Sequence, residues 1–371
     1  MTMRPTTVWM PTARSTVTGG GVQVVSPAPR AAWERLYAAD PDAIATQSPA
    51  WFDSVRAARG YADASRLYRM PDGRELVLPL AAQRLGITLI EESWPHGWGY
   101  GGLLAEGGTT DRDAAVVLAD LVRRPTVRTA VTPMPLQIAG WEAAAPAQAL
   151  RVPFTSRVID LRPGFDAVWR GYRKSARRGV RTAERLGVEV QRASGVDADA
   201  VLVTFTRLYG AAIKRWAAQR GQPLRVARLL ARLRNVPAQA AAVASAMGED
   251  CVIWSASIDG RPIAVDVMLQ SPGHHMSWLG AMDADLARDT AGTYLLQSRI
   301  IEDACRRGVR HFHLGESDPG SGVDAFKAGF GAAAVSSIAL RFERLPVTAT
   351  ERRLRAGFAM VSEWNNRRAG R

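Results

Sequence analysis

The sequence predicts a mixed α+β fold organised as two related domains. Three observations lead there. The length of 371 residues suits two domains at roughly 100–200 residues each. Helical patterns alternate with short period-2 apolar runs, and an Asp-Gly pair, Asp72-Gly73 and then Asp259-Gly260, separates two such runs in each half, as in antiparallel hairpins. The second half reads helix, three strands, helix, strand, helix, strand, and the first half is a shorter version of that order, without a visible repeat in the residues themselves. The expected division is a leader over 1–21, a first domain over 22–150, a second over 151–345 and a C-terminal helix over 346–371, with the junction near 140–153.

Residues 1–21 read as a disordered leader: they lack the apolar core of about 7–15 residues that a secretory signal requires. "VQVV" (22–25) is a short strand and 28–40 a helix closed by Asp40-Pro41. Ser48 caps a second helix, with Pro49 at its first position and Gly60 past its end. Strands follow at 64–70, 74–83 and 86–93, then a glycine-aromatic loop, "WPHGWGYGG" (94–102), a helix over 111–124 stopped by Pro125, and a strand-like stretch over 127–137. In the second half, 154–161 is a strand, 165–187 one long basic helix and 188–191 a strand. Helices cover 197–221 and 223–235, and strands 251–258, 261–270 and 274–282 come next. A helix over 291–308, a strand over 309–314, a glycine-rich loop, a short helix around Phe326 and a last strand over 334–345 complete the order. In the tail, Leu354, Phe358, Val361 and Trp364 share one helical face.

The chain carries 48 basic against 35 acidic residues, a net charge of +13. That suits an anionic partner such as RNA or a nucleotide cofactor, and it equally suits a GC-rich coding bias that favours arginine. Cys251 and Cys305 form neither a disulfide framework nor a zinc set. No apolar run reaches the roughly 18 residues that span a membrane. A reduced, cytoplasmic setting is expected.

Several chemistries are excluded by missing motifs. The chain has no Gly-x-Ser-x-Gly elbow, no Gly-Lys-Ser/Thr phosphate loop and no Gly-x-Gly-x-x-Gly joining a strand to a helix. His311 and His313 share a strand face but lack the further ligands that zinc needs, so no metal is expected. What remains is a phosphate-type loop and a basic helix. Arg288 precedes Gly292 and Thr293, which open a helix whose N–H groups could meet phosphate or simply be capped. Arg170, Arg173, Lys174, Arg177, Arg178, Arg181 and Arg185 recur at three- and four-residue steps, with Glu184 the one acid among them. Such a face either meets an anion or is a solvated surface. Asp266 stands in an apolar strand on one face with Gln270, placed for a cleft or for a partner.

The chain has only three lysines, Lys174, Lys214 and Lys327, and the last lies in "DAFKAGFG" after a strand ending "HLGES". This arrangement resembles the FemAB-like branch of the GNAT acyltransferase superfamily, in which a Phe-Lys-x-x-Phe/Trp-Gly motif follows such a strand. "SARRGVRTAERLGVEV" and "GWGYGG" are similar to two further segments of that branch. The resemblance covers roughly 45–345 and implies two tandem GNAT-like folds around central, mostly antiparallel sheets, with the acceptor toward the first and the acyl donor toward the second. It implies amide-bond formation from aminoacyl-tRNA, with no permanently bound cofactor, or alternatively from acyl-CoA. Lys327 and Phe326 then carry catalysis, with Asp266, Glu316 or a substrate phosphate taking the amine's proton. Donor binding falls to Arg288, Gly292, Thr293, Arg173, Lys174, Arg177, Arg178 and Arg181. Acceptor binding falls to Trp98, Tyr100, His275 and His313. The alternatives for Lys327 are to cap its helix or to pair with Asp324. The interval from Asp197 to Gly248 holds two or three ordinary helices, where peptidoglycan-bridge enzymes of the branch carry a long helical hairpin. The leading expectation is therefore an aminoacyl-tRNA-dependent N-acyltransferase acting on a small-molecule amine. An acyl-CoA enzyme and a non-catalytic RNA-binding protein are the competing readings.

Overall fold

The computed structural model describes residues 14–17, 21–85, 88–351 and 353. In chain order the first half contains β1 (Arg14–Val17), β2 (Gln23–Ser26), α1 (Arg30–Ala39), α2 (Pro49–Arg59), β3 (Ala62–Asp63), β4 (Arg66–Arg69), β5 (Glu75–Leu78), β6 (Ala81–Leu85), β7 (Thr88–Glu92), β8 (Leu104–Ala105), α3 (Asp111–Leu121), β9 (Arg128–Val131), α4 (Ile138–Ala144) and β10 (Leu150–Asp160). The second half contains α5 (Phe165–Gly171), α6 (Lys174–Arg185), β11 (Glu189–Ala193), α7 (Ala198–Gln219), α8 (Leu224–Arg234), α9 (Val236–Met247), β12 (Cys251–Ile258), β13 (Arg261–Gln270), β14 (His274–Met282), α10 (Ala284–Thr290), α11 (Gly292–Arg306), β15 (His311–Glu316), α12 (Gly322–Gly329) and β16 (Ala333–Glu343). The fold is mixed α+β, as expected.

Two compact units emerge, neither continuous in the chain. Of the described residues, unit 1 joins those up to 173 with 269–278 and 304–344, and unit 2 joins 174–268 and 279–303 with those from 345 on. In unit 1 one antiparallel sheet runs β1-β2-β4-β5-β8, and seven strands of a second run β15-β10-β16-β9-β7-β6-β3. The junction expected near 140–153 does not bound this unit. Leu340–Glu343 of β16 bond antiparallel to Arg128–Val131 of β9, so ladder hydrogen bonds carry the late strands into unit 1. In unit 2, β11 pairs antiparallel with β12, which neighbours β13. The β12–β13 connection places Asp259 at φ 48° and Gly260 at φ 71°, the left-handed pair a two-residue hairpin requires.

Local signals explain most elements. Ser48 Oγ accepts from the Trp51 N–H, Pro49 sits at the first turn, and Gly60 ends α2 at φ 69°. Thr110 and Asp113 cap α3 reciprocally. Three expectations need correction. Arg14–Val17, in the expected leader, form β1 because they pair antiparallel with Gln23–Ser26. The single basic helix over 165–187 is two helices. Tyr172 turns extended, its ring packs edge-on to Phe330 at 5.1 Å, and the Arg173 N–H donates to the Gly329 carbonyl at 2.8 Å instead of continuing a helix. Residues 138–144, not foreseen as helical, form α4, burying Trp141. Of the expected C-terminal helix, 347–351 and Arg353 are helical, and the stripe from Leu354 to Trp364 lies outside the described residues.

Among the buried polar groups of unit 1, two clusters bear on charge. Arg66, 3% exposed, donates to both Asp120 oxygens at 2.7 and 3.1 Å, and the Tyr68 hydroxyl adds a third bond at 2.9 Å. With the charges paired and saturated, burial is tolerated there. The second cluster lies on the short parallel ladder where His274–Met276 of β14 meet His311–His313 of β15. His274 Nδ1 lies 3.0 Å from His313 Nε2, and the His274 ring stacks on His311 at 5.1 Å. Asp42 and Arg310 flank His274, and Asp160 and Arg162 flank His311. Burial, first, and the neighbouring imidazoles, second, push the pKa of His313 and His274 well below the ordinary 6.5, so both rings are neutral in the folded chain. Below pH 6.5 the unfolded chain binds protons that the folded chain refuses. Stability is therefore fully present above that value and is lost as pH falls. Thermal unfolding followed from pH 7 to about 4.5 is expected to show a falling Tm, and His313→Gln to flatten the slope; a Tm indifferent to pH in this range contradicts the argument.

Candidate active site

The segment "FKAGFG" is built into unit 1 by capping, ion-pair and packing interactions. Ser321 caps α12, its hydroxyl accepting from the Asp324 N–H at 3.1 Å. Asp324 is gripped by Arg157 of β10, Nε at 2.8 Å and Nη2 at 2.7 Å, and by the Ser317 hydroxyl at 2.8 Å. The Arg157 and Ser317 bonds hold the Asp324 carboxyl well below the usual carboxylate range. Arg157 occupies a register shift between β10 and β15, where a bulge re-aims the side chain, and its Nη1 reaches the Ala332 carbonyl at 3.1 Å. Past the helix, Phe330 is fully buried, with Phe326 and Tyr172 each edge-on at 5.1 Å. Gly331 follows at φ 75°, and a Cβ there would lie 3.2 Å from the Gly171 carbonyl oxygen.

The Asp324 carboxylate bonds to Arg157 and Ser317. Lys327 Nζ donates to the Glu316 backbone carbonyl at 2.7 Å, tying α12 to the end of β15. Lys327 and Glu316, both named from the one strand-loop-helix resemblance, are brought together.

Glu316 lines an open cavity of about 700 Å³ in unit 1. The cross-strand pairs Phe154–Ser337 and Thr155–Ser336 form one part of its wall. Glu142 and Asp318 add two more carboxylates, and among the described residues no basic one lines it. In a chain of net charge +13 that is a local reversal of sign. Glu316 is exposed as a residue, yet crowding of its carboxyl by protein atoms raises its pKa, the Lys327 ammonium opposing and Asp318 adding. Ser337 is 2% exposed, and its hydroxyl has no hydrogen-bond partner among the described residues. Glu142, Asp318 and Ser337 were not foreseen, because nothing local to them signals that α4, a loop and β16 converge.

The residues expected to bind acceptor are placed otherwise. Trp98, 3% exposed, packs between Trp51 and Trp278 at 5.4 and 5.5 Å. His275 is 4% exposed, and His313 is fully buried in the histidine cluster. Tyr100 stacks on Phe154 at 6.0 Å, and its hydroxyl meets Ser156 Oγ at 2.6 Å; burial raises its pKa. Tyr100 backs the cavity wall through Phe154, and all four side chains are buried. The glycines between them serve packing: a Cβ on Gly99 would lie 2.7 Å from Thr46 Cγ2 and one on Gly101 2.6 Å from Ser93 Cβ.

The expected donor residues fall mostly in unit 2. Arg288 is paired with Asp285 and Asp289 of its own segment. The Gly292 N–H donates to Thr290 Oγ1 at 3.2 Å, and a Cβ on Gly292 would lie 2.7 Å from Ile263 Cδ1, so this glycine answers a packing demand. Thr293 is half-buried, as is Asp266, which shares its strand face with Gln270. The α6 cations form a clearer feature. Lys174, Arg177, Arg178 and Arg181, with Arg185, line a groove of about 560 Å³. The opposite face of α6 is buried through Ala176, Gly179, Val180 and Ala183, and a Cβ on Gly179 would strike the Tyr294 ring at 2.7 Å. Glu184 is drawn off to Arg299 at 2.9 Å. Arg173, one residue before α6, ends unit 1 on its bond to Gly329. Among the described residues no cluster of metal-ligating side chains occurs.

Residues 170–328 match the family model described as an acetyltransferase (GNAT) domain. No curated protein matches the sequence. Among solved structures, the crystal structure of FemX is similar with a TM-score of 0.59 at 11% identity, over 85% of this chain and 96% of FemX. The C-terminal (DUF2156) domain of a putative lysylphosphatidylglycerol synthetase from Agrobacterium fabrum has a TM-score of 0.50 at 13% identity, over 89% and 96%. A conserved protein of unknown function from Bacteroides thetaiotaomicron VPI-5482 also has a TM-score of 0.50, at 9% identity over 85% and 97%. At such identities the likeness is one of fold. The chain has a GNAT-type fold shared with FemX, in agreement with the resemblance read from "FKAGFG". Replacing Gly331 by Ala is expected to destabilise the chain by at least about 1 kcal/mol, because alanine must adopt the left-handed region beside the Gly171 carbonyl. Urea unfolding measures it, and an unchanged midpoint contradicts the tight fit.

Proposed function

We propose that the protein is a Fem-like N-acyltransferase that moves an aminoacyl group from aminoacyl-tRNA to the amine of a small molecule. The observation that carries this reading is the Lys327 ammonium held 2.7 Å from the Glu316 carbonyl at the rim of an acid-lined cavity. On this reading residues 22–150 and 151–345 are two successive GNAT-like folds. The acceptor enters the cavity as an ammonium, drawn by Glu142, Glu316 and Asp318. Glu316, whose raised pKa makes it the better proton acceptor, takes one proton and leaves a neutral amine. The amine nitrogen attacks the acyl ester carbonyl, and the oxygen that gains the electron pair is stabilised by Lys327. A compact ammonium with three N–H donors can hold the Glu316 carbonyl and approach that oxygen, where a planar guanidinium is wider. Collapse expels the ribose oxygen of the tRNA, which takes up the surplus proton of the attacking nitrogen, and the amide remains. The groove along Lys174, Arg177, Arg178 and Arg181 supplies positive charge for the donor's phosphates.

The GNAT family match favours a second donor, acyl-CoA, and one assay decides. Labelled aminoacyl-tRNA or acyl-CoA is offered with a panel of primary amines, with and without RNase. Transfer abolished by RNase supports the tRNA donor, and RNase-indifferent transfer from acyl-CoA replaces it. Salt-sensitive RNA binding with no transfer from either donor indicates a non-catalytic RNA-binding protein. Lys327→Ala is expected to lower kcat by roughly a hundredfold or more with folding retained, and Lys327→Arg also to impair it. Full activity in both removes the oxyanion role. Arg177→Ala with Arg181→Ala is expected to weaken tRNA binding and to reduce the salt slope by about one for each phosphate left without its arginine. An unchanged binding curve makes α6 a solvated surface.

A further inference from the structure

Between Asp199 and Glu249 the chain has eight basic residues and no acidic one. The segment folds as α7, α8 and α9 within unit 2, and α8, "LRVARLLARLR", is its unusual member. Ala227 is its one buried residue, and Leu224 and Ala231, at helical spacing from it, are half-buried. The inward face therefore consists of a leucine and two alanines. The larger aliphatic side chains point out. Val226 is 44% exposed, Leu229 56%, Leu230 41% and Leu233 71%. These positions are i, i+3, i+4 and i+7, a continuous stripe on the side away from the buried one. Arg225, Arg228 and Arg232 run along one border of the stripe, and Arg234 stands on the other. All four arginines are exposed.

We propose that α8 is a docking helix for an anionic lipid surface. An exposed aliphatic stripe costs free energy in water unless something covers it. The charge around it identifies the cover. A second copy of this chain would set the same arginine borders, in a segment without acids, against each other. A nucleic-acid backbone would satisfy the arginines and leave the leucines in water. The surface of a bilayer containing anionic lipids answers both. Guanidinium groups lie at the phosphates while Val226, Leu229, Leu230 and Leu233 enter the boundary below the headgroups. Lys214, Arg215 and Arg220 at the end of α7 extend the positive field. The contact is peripheral, since among the described residues no helix is long and apolar enough to cross a membrane. This inference stands apart from the acyl-transfer reading and does not need it.

The test uses the full chain and vesicles of phosphatidylcholine, alone or with about one third phosphatidylglycerol, in a flotation or co-sedimentation assay. Binding is expected to the anionic vesicles, weakening as salt rises. Leu229→Ser with Leu233→Ser, both at positions more than half exposed, should leave circular dichroism and Tm unchanged and reduce partitioning roughly tenfold or more. Arg228→Gln with Arg232→Gln should reduce it by a similar factor and shrink the salt dependence. Three results overturn the proposal. One is no binding to anionic vesicles at low salt. Another is binding that ignores the leucine pair while tRNA binding depends on the same arginines, which makes α8 a nucleic-acid surface. The third is a leucine-dependent dimer in light scattering with no vesicle binding, which makes it a self-association face.

Discussion

The bidentate bond between Arg157 and Asp324 is the constraint on which the candidate site depends. Arg157 belongs to β10, which pairs on one side with β15 and on the other with β16. Asp324 belongs to the first turn of α12. Joining them fixes the helix to the sheet, and Lys327, one turn further on, then reaches the Glu316 carbonyl. The preference of the guanidinium for paired carboxylate oxygens assigns Asp324 to Arg157, while the Lys327 ammonium holds the Glu316 backbone carbonyl and acts on the Glu316 carboxyl.

Charge in this chain is sorted by location. The net charge of +13 describes neither the cavity of unit 1, whose wall carries three carboxylates and no cation among the described residues, nor the segment of α7 to α9, which carries no acid between Asp199 and Glu249. The α6 groove is a third environment, made of cations along one face whose one acid turns to Arg299. An amine acceptor and a phosphate-bearing donor are attracted to opposite signs, so such sorting is the electrostatic condition for handling both. It also shows why the average charge was a weak guide, since it suited an anionic partner without locating one.

Legibility followed the range of the interaction. Ser48, Pro49 and Gly60 marked α2 because caps act within four residues. Asp259-Gly260 marked a hairpin because two left-handed residues suffice to turn one. Asp266 and Gln270 were placed on one face because strand alternation is local. The break between α5 and α6 was not legible, since Tyr172 leaves helical geometry to meet Phe330 and Arg173 to meet Gly329, both more than 150 residues away by number. The site divided in the same manner. Lys327 and Glu316 were read from the strand-loop-helix pattern around them. Trp98, Tyr100, His275 and His313 were assigned to the acceptor only through the family resemblance. Burial by distant strands turned them into support, and the side chains that face the cavity, Glu142, Asp318 and Ser337, come from three segments with no mark of their own.

The sequence by itself therefore determined the kinds and order of elements, the caps and turns that bound them, the GNAT resemblance centred on "FKAGFG", and the excess of cations along α6 and α8. Periodicity, φ preferences and composition are properties of neighbouring residues, so no folded structure is needed to see them. Only the tertiary structure decided that β16 joins β9 and draws the late strands into unit 1. It alone decided that Asp324 belongs to Arg157 and Lys327 to Glu316, and that the outward side of α8 is the aliphatic one. Those outcomes depend on which groups lose water together, and that is settled by contacts between residues far apart in the chain.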